Sequence, residues 1–108
     1  MTQNFDREQL QQLAGGDTAF EKELLKMFVG DTEETLEQLA VAINAENPGA
    51  VQELAHYIKG ASANVGAVGM SKTAAQLEMS AKLGNLRGAA QSLRQLQTLH
   101  REVSRLAR

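Results

Sequence analysis

Apolar residues recur by threes and fours along most of the chain, the period of amphipathic helices rather than the alternation of strands. The clearest stripe is Phe20, Leu24, Leu25, Phe28, Leu36, Leu39 and Ile43, opened by Asp17 as an N-cap and ended near Asn44 to Asn47, before Pro48-Gly49. Gly30-Asp31-Thr32, with Glu34 three beyond Asp31, could restart this helix with a kink, but it is counted as one. A shorter helix precedes it: Asp6 followed by Gln9 has the form of a capping box, Leu10 and Leu13 are its apolar residues, and Gly15-Gly16 ends it. Pro48 suits the first turn of a third helix, whose Val51, Leu54, Ala55, Ile58, Ala61 and Val65 lead to Gly66. The spacing predicts a fourth helix from about Ser71 to Leu83 and a fifth from about Leu86 to Ala107. Ala74, Leu77 and Ala81 face inward on the fourth, and Leu93, Leu96, Val103 and Ala107 on the fifth. The predicted fold is all-α: an antiparallel up-down-up-down four-helix bundle with the short N-terminal helix as a lid. Phe20, Leu24 and Met27 widen the long stripe, and an apolar residue the lid left uncovered there would form a docking patch.

Composition supports one domain over residues 1–108, at 43% hydrophobic and 22% charged. With no Cys, a disulfide framework, a thiolate metal site and thiol catalysis are all excluded. Aromatics are limited to Phe5, Phe20, Phe28 and Tyr57, too few for a β-sandwich. The longest apolar runs, Leu39 to Ile43 and Met27 to Val29, fall far short of the roughly 20 residues a bilayer span needs. The opening Met1-Thr2-Gln3-Asn4-Phe5-Asp6 lacks the basic start and apolar core of a signal peptide, so the expected location is the cytoplasm, without membrane insertion. The formal net charge of −2 hides a division: residues 1–54 carry three bases and eleven acids, residues 55–108 eight bases and only Glu78 and Glu102 as acids. Halves of −8 and +6 are expected to attract each other within the bundle, although a basic second half could also handle anions.

The two histidines fall on different faces. At about 100° per residue, His56 lies nearly opposite the core stripe of its helix, whereas His100 falls within the Leu93, Leu96, Val103 and Ala107 stripe. His56 is therefore expected to be exposed and His100 to be a structural residue of the core. Lys59 shares the face of His56. So does Gly60, although glycine inside a helix costs roughly 0.5 to 1 kcal/mol relative to alanine. A side chain at position 60 would lean back over the turn carrying His56, so glycine clears space there for another molecule. No His-rich or His/carboxylate spacing accompanies the two histidines, so no metal site is expected.

An imidazole with an ordinary pKa of about 6.5 is largely neutral and nucleophilic at physiological pH, and can accept a phosphoryl group on a ring nitrogen. The product is an anion, for which Lys59 is the nearby cation. An acceptor on the other ring nitrogen would fix the tautomer; Glu78 or Gln76 of the fourth helix could reach it, Glu78 being preferred as one of the two acids in this half.

The segment Ala55-His56-Tyr57-Ile58-Lys59-Gly60-Ala61-Ser62-Ala63-Asn64-Val65-Gly66-Ala67 resembles the signature of histidine phosphotransfer (HPt) domains, roughly A-H-x-L-K-G-x-[SA]-x-x-[LIV]-G. Leu77-Glu78 followed by Lys82 resembles the family's L-E-x-x-[GA]-[RK] in the next helix, with Ser80-Ala81 where a Gly often precedes the base. The resemblance implies that His56 is the phospho-acceptor, Lys59 the cation on the phosphate side and Gly60 the opening for the partner. It also implies that Glu78 bonds the imidazole and that Lys82 is a second base near the site. The implied activity is reversible transfer between His56 and the aspartate of a response-regulator receiver domain, in service of such regulators or of a hybrid sensor histidine kinase. The chain would be a monomeric phosphocarrier and not an autonomous kinase. Its glycines form no P-loop or kinase nucleotide motif, no cofactor is expected, and any Mg²⁺ would sit in the receiver's acidic pocket.

Two other readings compete. The bundle could be a docking or adaptor module that works without phosphotransfer, against which stand His56 and Lys59 together. Arg87, Arg94, Arg101 and Arg108, seven residues apart on the fifth helix, could contact nucleic acid. That stripe has no interleaved aromatics and faces an acidic first half, so a salt-bridged, solvated face is expected instead and no nucleic-acid partner.

Overall fold

The computed structural model describes residues 4–108. Met1, Thr2 and Gln3, on which the leader reading partly rests, lie outside the described residues. Five helices follow in order: α1 (Arg7–Leu13), α2 (Thr18–Asn44), α3 (Pro48–Val65), α4 (Val68–Lys82) and α5 (Ala89–Leu106), with no strand among the described residues. The predicted all-α bundle is what forms. Helices α2 to α5 make four sides, with α3 against α2 and α4, and α5 against the same two; α3 and α5 lie diagonally across the bundle. Between the helices, Leu39, Val51, Ile58, Met70, Leu77 and Leu96 are almost completely buried.

Short polar side chains start three of the helices, at Asp6 and Asp17 as the sequence suggests and at Asn47, which the sequence alone places at the end of the preceding helix. The amide of Gln9 donates to Asp6 Oδ1 at 3.3 Å, that of Phe20 to Asp17 Oδ1 at 3.1 Å and that of Ala50 to Asn47 Oδ1 at 3.1 Å. The expected capping box at Asp6 forms only by half. Gln9 Nε2 donates to the Ala63 carbonyl on α3, and the Asp6 amide donates to the Gly66 carbonyl at 2.7 Å. Helix α2 runs unbroken past Gly30, because Asp31 does not cap a new segment; its carboxylate accepts from the Tyr57 hydroxyl of α3.

Two boundaries differ from expectation. Helix α4 starts at Val68, three residues before Ser71. Gly66, at φ 85°, closes α3 with the amides of Gly66 and Ala67 donating to Ala63 and Ser62, and this tight turn sends the chain straight back into helix. No side chain caps α4; the carbonyl of Asn4 accepts from the Gly69 amide at 3.0 Å instead. Helix α5 starts at Ala89 rather than near Leu86, because Asn85 Oδ1 accepts the Arg87 amide at 3.1 Å and holds the connection in a turn. Leu93 is only half-buried, and Ala89 and Leu99 join the core beside Leu96 and Val103.

The lid covers less than expected. Leu10 is buried under α1, but Leu13, Phe20 and Met27 remain exposed at that end of the bundle. The charge division is real, yet the expected salt bridges between the halves do not form: the ion pairs among the described residues both involve Glu78, and neither joins α2 to α5. Arg94 and Arg101 are exposed on α5, and Arg101 shares a groove with Glu33 and Glu37 of α2 without pairing with either.

Candidate functional site

Helices α3 and α4 run antiparallel as neighbours, joined by the turn at Gly66, so residues equally far from that turn face one another. This places His56 and Lys59 opposite Glu78. One carboxylate oxygen, Oε2, lies 2.8 Å from His56 Nδ1, and the other, Oε1, lies 2.7 Å from Lys59 Nζ. Ser71 adds a tie between the same helices, its hydroxyl donating to the Lys59 carbonyl at 3.2 Å.

Burial grades the three side chains. Glu78 is 19% exposed, Lys59 37% and His56 67%. The carboxylate thus sits at the floor of a shallow site with the imidazole standing over it. The hydrogen bond from Lys59 holds the Glu78 carboxyl below the usual carboxylate range, partial burial opposes this, and the His56 bond and the two neighbouring charges add to the lowering. An ionised Glu78 can only accept, so the bond is donated by His56 Nδ1, and Nε2 has no partner among the described residues. The pair is therefore an imidazole oriented by an anion on a side chain that is 67% exposed.

Gly60 lies on the exposed surface one turn from His56, and a Cβ built there meets nothing within 4 Å. Close packing of another helix does not explain the glycine. Lys82 is exposed one turn beyond Glu78 and takes part in no ion pair or side-chain hydrogen bond among the described residues. Gln76 is exposed and lines a groove between α4 and α5, with Asn4 at its edge, away from the imidazole on α3. His100 is 9% exposed on α5, where its Nε2 donates to the Val29 carbonyl at 2.8 Å. The two histidines thus have the contrasting environments their helical phases predict.

Sequence reasoning missed two contacts beside the site. Tyr57, next to His56, reaches back to Asp31; the bond and the charge of Asp31 push its phenol above the ordinary value of 10. Ser71, read as a helix start, instead braces Lys59. Both are matters of register between helices, for which the sequence offers only that Asp31 and Tyr57 are polar residues at the edge of an apolar stripe. Among the described residues no group of three or more His, Asp or Glu is placed to hold a metal ion, and no helix is long and apolar enough to cross a membrane.

This arrangement, an exposed imidazole with a carboxylate behind it and an amine and an open glycine beside it on a four-helix bundle, supplies the groups that phosphoryl transfer through a histidine needs. The family comparison agrees: residues 23–107 match the model of the Hpt domain. The chain resembles the crystal structure of histidine-containing phosphotransfer protein B (HptB) from Pseudomonas aeruginosa PAO1, with 32% identity over 99% of this chain and 93% of that one and a TM-score of 0.91. It shares its fold with the HPT domain of a sensor hybrid histidine kinase from Shewanella, at 18% identity, a TM-score of 0.77 and coverage of 95% of this chain and 92% of that one. No curated protein sequence matches. The chain belongs to the Hpt domain family, and it serves as a phosphocarrier in histidine phosphotransfer within a phosphorelay.

Proposed function

We propose that His56 is the residue that carries the phosphoryl group, at Nε2, in reversible exchange with the aspartyl phosphate of a response-regulator receiver domain. The observation that carries this is the pairing of Nδ1 with Glu78 at 2.8 Å on a side chain that is 67% exposed: orientation at one nitrogen and access at the other. The Nε2 lone pair attacks phosphorus in line, and the aspartyl oxygen leaves with the bonding electrons as a carboxylate. Return transfer reverses each step. Lys59 supplies a cation within reach of the phosphoryl oxygens, and Lys82 a second one a turn further along α4. Gly60 leaves room for the receiver to approach.

The exposed Leu13, Phe20 and Met27 on α1 and α2 give the receiver an apolar surface to dock on. Any Mg²⁺ in the reaction we assign to the receiver's acidic pocket, with no cofactor held by this chain. It would work as a monomer in the cytoplasm, taking and giving phosphoryl groups without binding ATP. Its donors and acceptors would be free response regulators or the receiver of a hybrid kinase. The test is phosphoryl transfer from a panel of phosphorylated receiver domains to the parent and to His56→Gln. Transfer from at least one receiver to the parent and from none to the variant is expected, and equal labelling of both would overturn the assignment.

A further inference from the structure

An orienting partner for an imidazole needs only to accept a hydrogen bond, which a glutamine would do as well as a glutamate. What a carboxylate adds is charge, and here that charge is divided. Oε2 faces the ring at 2.8 Å and Oε1 holds Lys59 at 2.7 Å, on a side chain 19% exposed. Glu78 is also the only acid on α4. The other charged groups near the ring are Lys59 and, three residues before His56, the exposed Glu53 on α3, Lys82 on α4, and from α2 Asp31, which is bonded to Tyr57; only Glu78 is paired with the ring itself. Helix α1 reaches α3 near Ala63 through the uncharged Gln9, and α5 lies diagonally across the bundle from α3.

We propose that Glu78 keeps the proton on His56 Nδ1 through the whole transfer cycle, so that the phosphorylated ring is a cationic phosphoimidazolium, the form from which the phosphoryl group leaves readily. The inference rests on His56 Nε2 being the phosphoryl carrier. On uptake, the Nε2 lone pair forms the N–P bond, the P–O bond to the receiver's aspartate breaks toward oxygen, and no proton moves. The ring, having given up its lone pair, carries one positive charge with its N–H still on Glu78. On discharge, a carboxylate oxygen attacks phosphorus, and the N–P pair returns to Nε2, releasing a neutral imidazole. Without the carboxylate the ring would give its Nδ1 proton to water, and the leaving group would become an imidazolate, a far poorer one. Lys59 completes the exchange. The arriving phosphoryl oxygens draw its ammonium from Oε1, which leaves the full charge of Glu78 for the ring cation.

The test uses the full chain phosphorylated by phosphoramidate, a donor that needs no docking surface. The Nδ1 proton of the phosphorylated ring is followed by ¹H–¹⁵N spectroscopy against pH in the parent, Glu78→Gln and Glu78→Asp, and discharge to a receiver is timed over the same range. The parent is expected to hold the proton, with a flat discharge rate, to about pH 8, while in Glu78→Gln the proton is lost at least about one unit lower and discharge slows by about tenfold per unit above that point. Glu78→Asp, which keeps the charge, should move the profile back toward the parent. Circular dichroism checks that each variant folds; if Glu78→Gln does not, the parent and Glu78→Asp profiles decide. Loss of the proton at the same pH in the parent and Glu78→Gln, or a parent ring already deprotonated at about neutral pH, would overturn the proposal. Failure of phosphoramidate to label His56 at all would instead overturn the assignment of the carrier.

Discussion

Two glycines six residues apart, Gly60 inside α3 and Gly66 capping its end, should respond oppositely to the same added methyl group. Gly60 is helical and exposed, and a Cβ there meets nothing within 4 Å, so Gly60→Ala gains helix propensity at no steric cost. That gain is about 0.5 to 1 kcal/mol, which for a domain of this size raises the melting temperature by about 2 to 6 °C. Gly66 sits at φ 85°, which costs another residue roughly 1 to 2 kcal/mol. Its Cβ would also lie 2.2 Å from the Asp6 carbonyl oxygen, a backbone atom that cannot turn aside. Moving that oxygen away strains the 2.7 Å hydrogen bond from the Asp6 amide to Gly66, worth about 1 kcal/mol. The sum for Gly66→Ala is about 2 to 3 kcal/mol, or a fall of roughly 10 to 20 °C. Thermal and urea unfolding of both variants beside the parent would read the signs directly. A Gly60→Ala that melts below the parent, or a Gly66→Ala within about 0.5 kcal/mol of it, would refute the assignment of these positions. Gly60→Gln extends the argument to function: its side chain leans over the His56 turn, so transfer from a receiver should drop at least about tenfold while labelling by phosphoramidate is retained. A parent-like rate from the receiver would end the access argument.

Lys59→Ala should slow receiver transfer and shorten the lifetime of phosphohistidine while changing unfolding free energy by less than about 1 kcal/mol, since the ion pair is partly solvated; an unchanged transfer rate would remove Lys59 from the mechanism. Because Glu78 ionises below the usual carboxylate range in the folded chain, its stabilisation is complete above that range and is lost as the pH falls through the folded value. Urea unfolding should therefore show any advantage of the parent over Glu78→Gln shrinking on acidification, and an advantage that grows would contradict the pairing. Tyr57 is the only tyrosine, so tyrosinate absorbance reports it alone; Asp31→Asn should bring its ionisation down toward the ordinary value of 10. An unmoved midpoint would mean the contact is absent in solution. The exposed arginines of α5 should not retain duplex DNA on a filter at physiological salt, and retention there would revive the nucleic-acid reading.

What could be read from the chain was whatever one helix determines for itself. The phases of His56 and His100, the caps at Asp6 and Asp17, and the stop at Gly66 each depend on residues within one or two turns. The choice of Glu78 over Gln76 rests on charge alone, Glu78 being one of two acids in its half; that only Glu78 faces the imidazole on α3 is a matter of register. The misses lie where distant residues meet. Helix α4 starts early because Asn4, 65 positions before Gly69, accepts an amide that no local side chain caps. The capping box at Asp6 opens because Gln9 and the Asp6 amide find partners on α3 and at Gly66. The expected salt bridges fail for a related reason: the sign of each half says that acids and bases attract, but not that any two side chains come within pairing distance, and Arg101 stays unpaired although it shares a groove with Glu33 and Glu37. The division of one carboxylate between His56 and Lys59 likewise needs the register of two helices.

The central claim is that His56, and no other residue, carries the phosphoryl group at Nε2. Its most direct test is ³¹P and ¹H–¹⁵N spectroscopy of the intact chain after incubation with a phosphorylated receiver, with His56→Gln and His100→Gln in parallel. The account predicts one acid-labile phosphohistidine signal in the parent, coupled to Nε2 of His56, retained in His100→Gln and absent from His56→Gln. A signal coupled to Nδ1, or one that survives in His56→Gln, would contradict it.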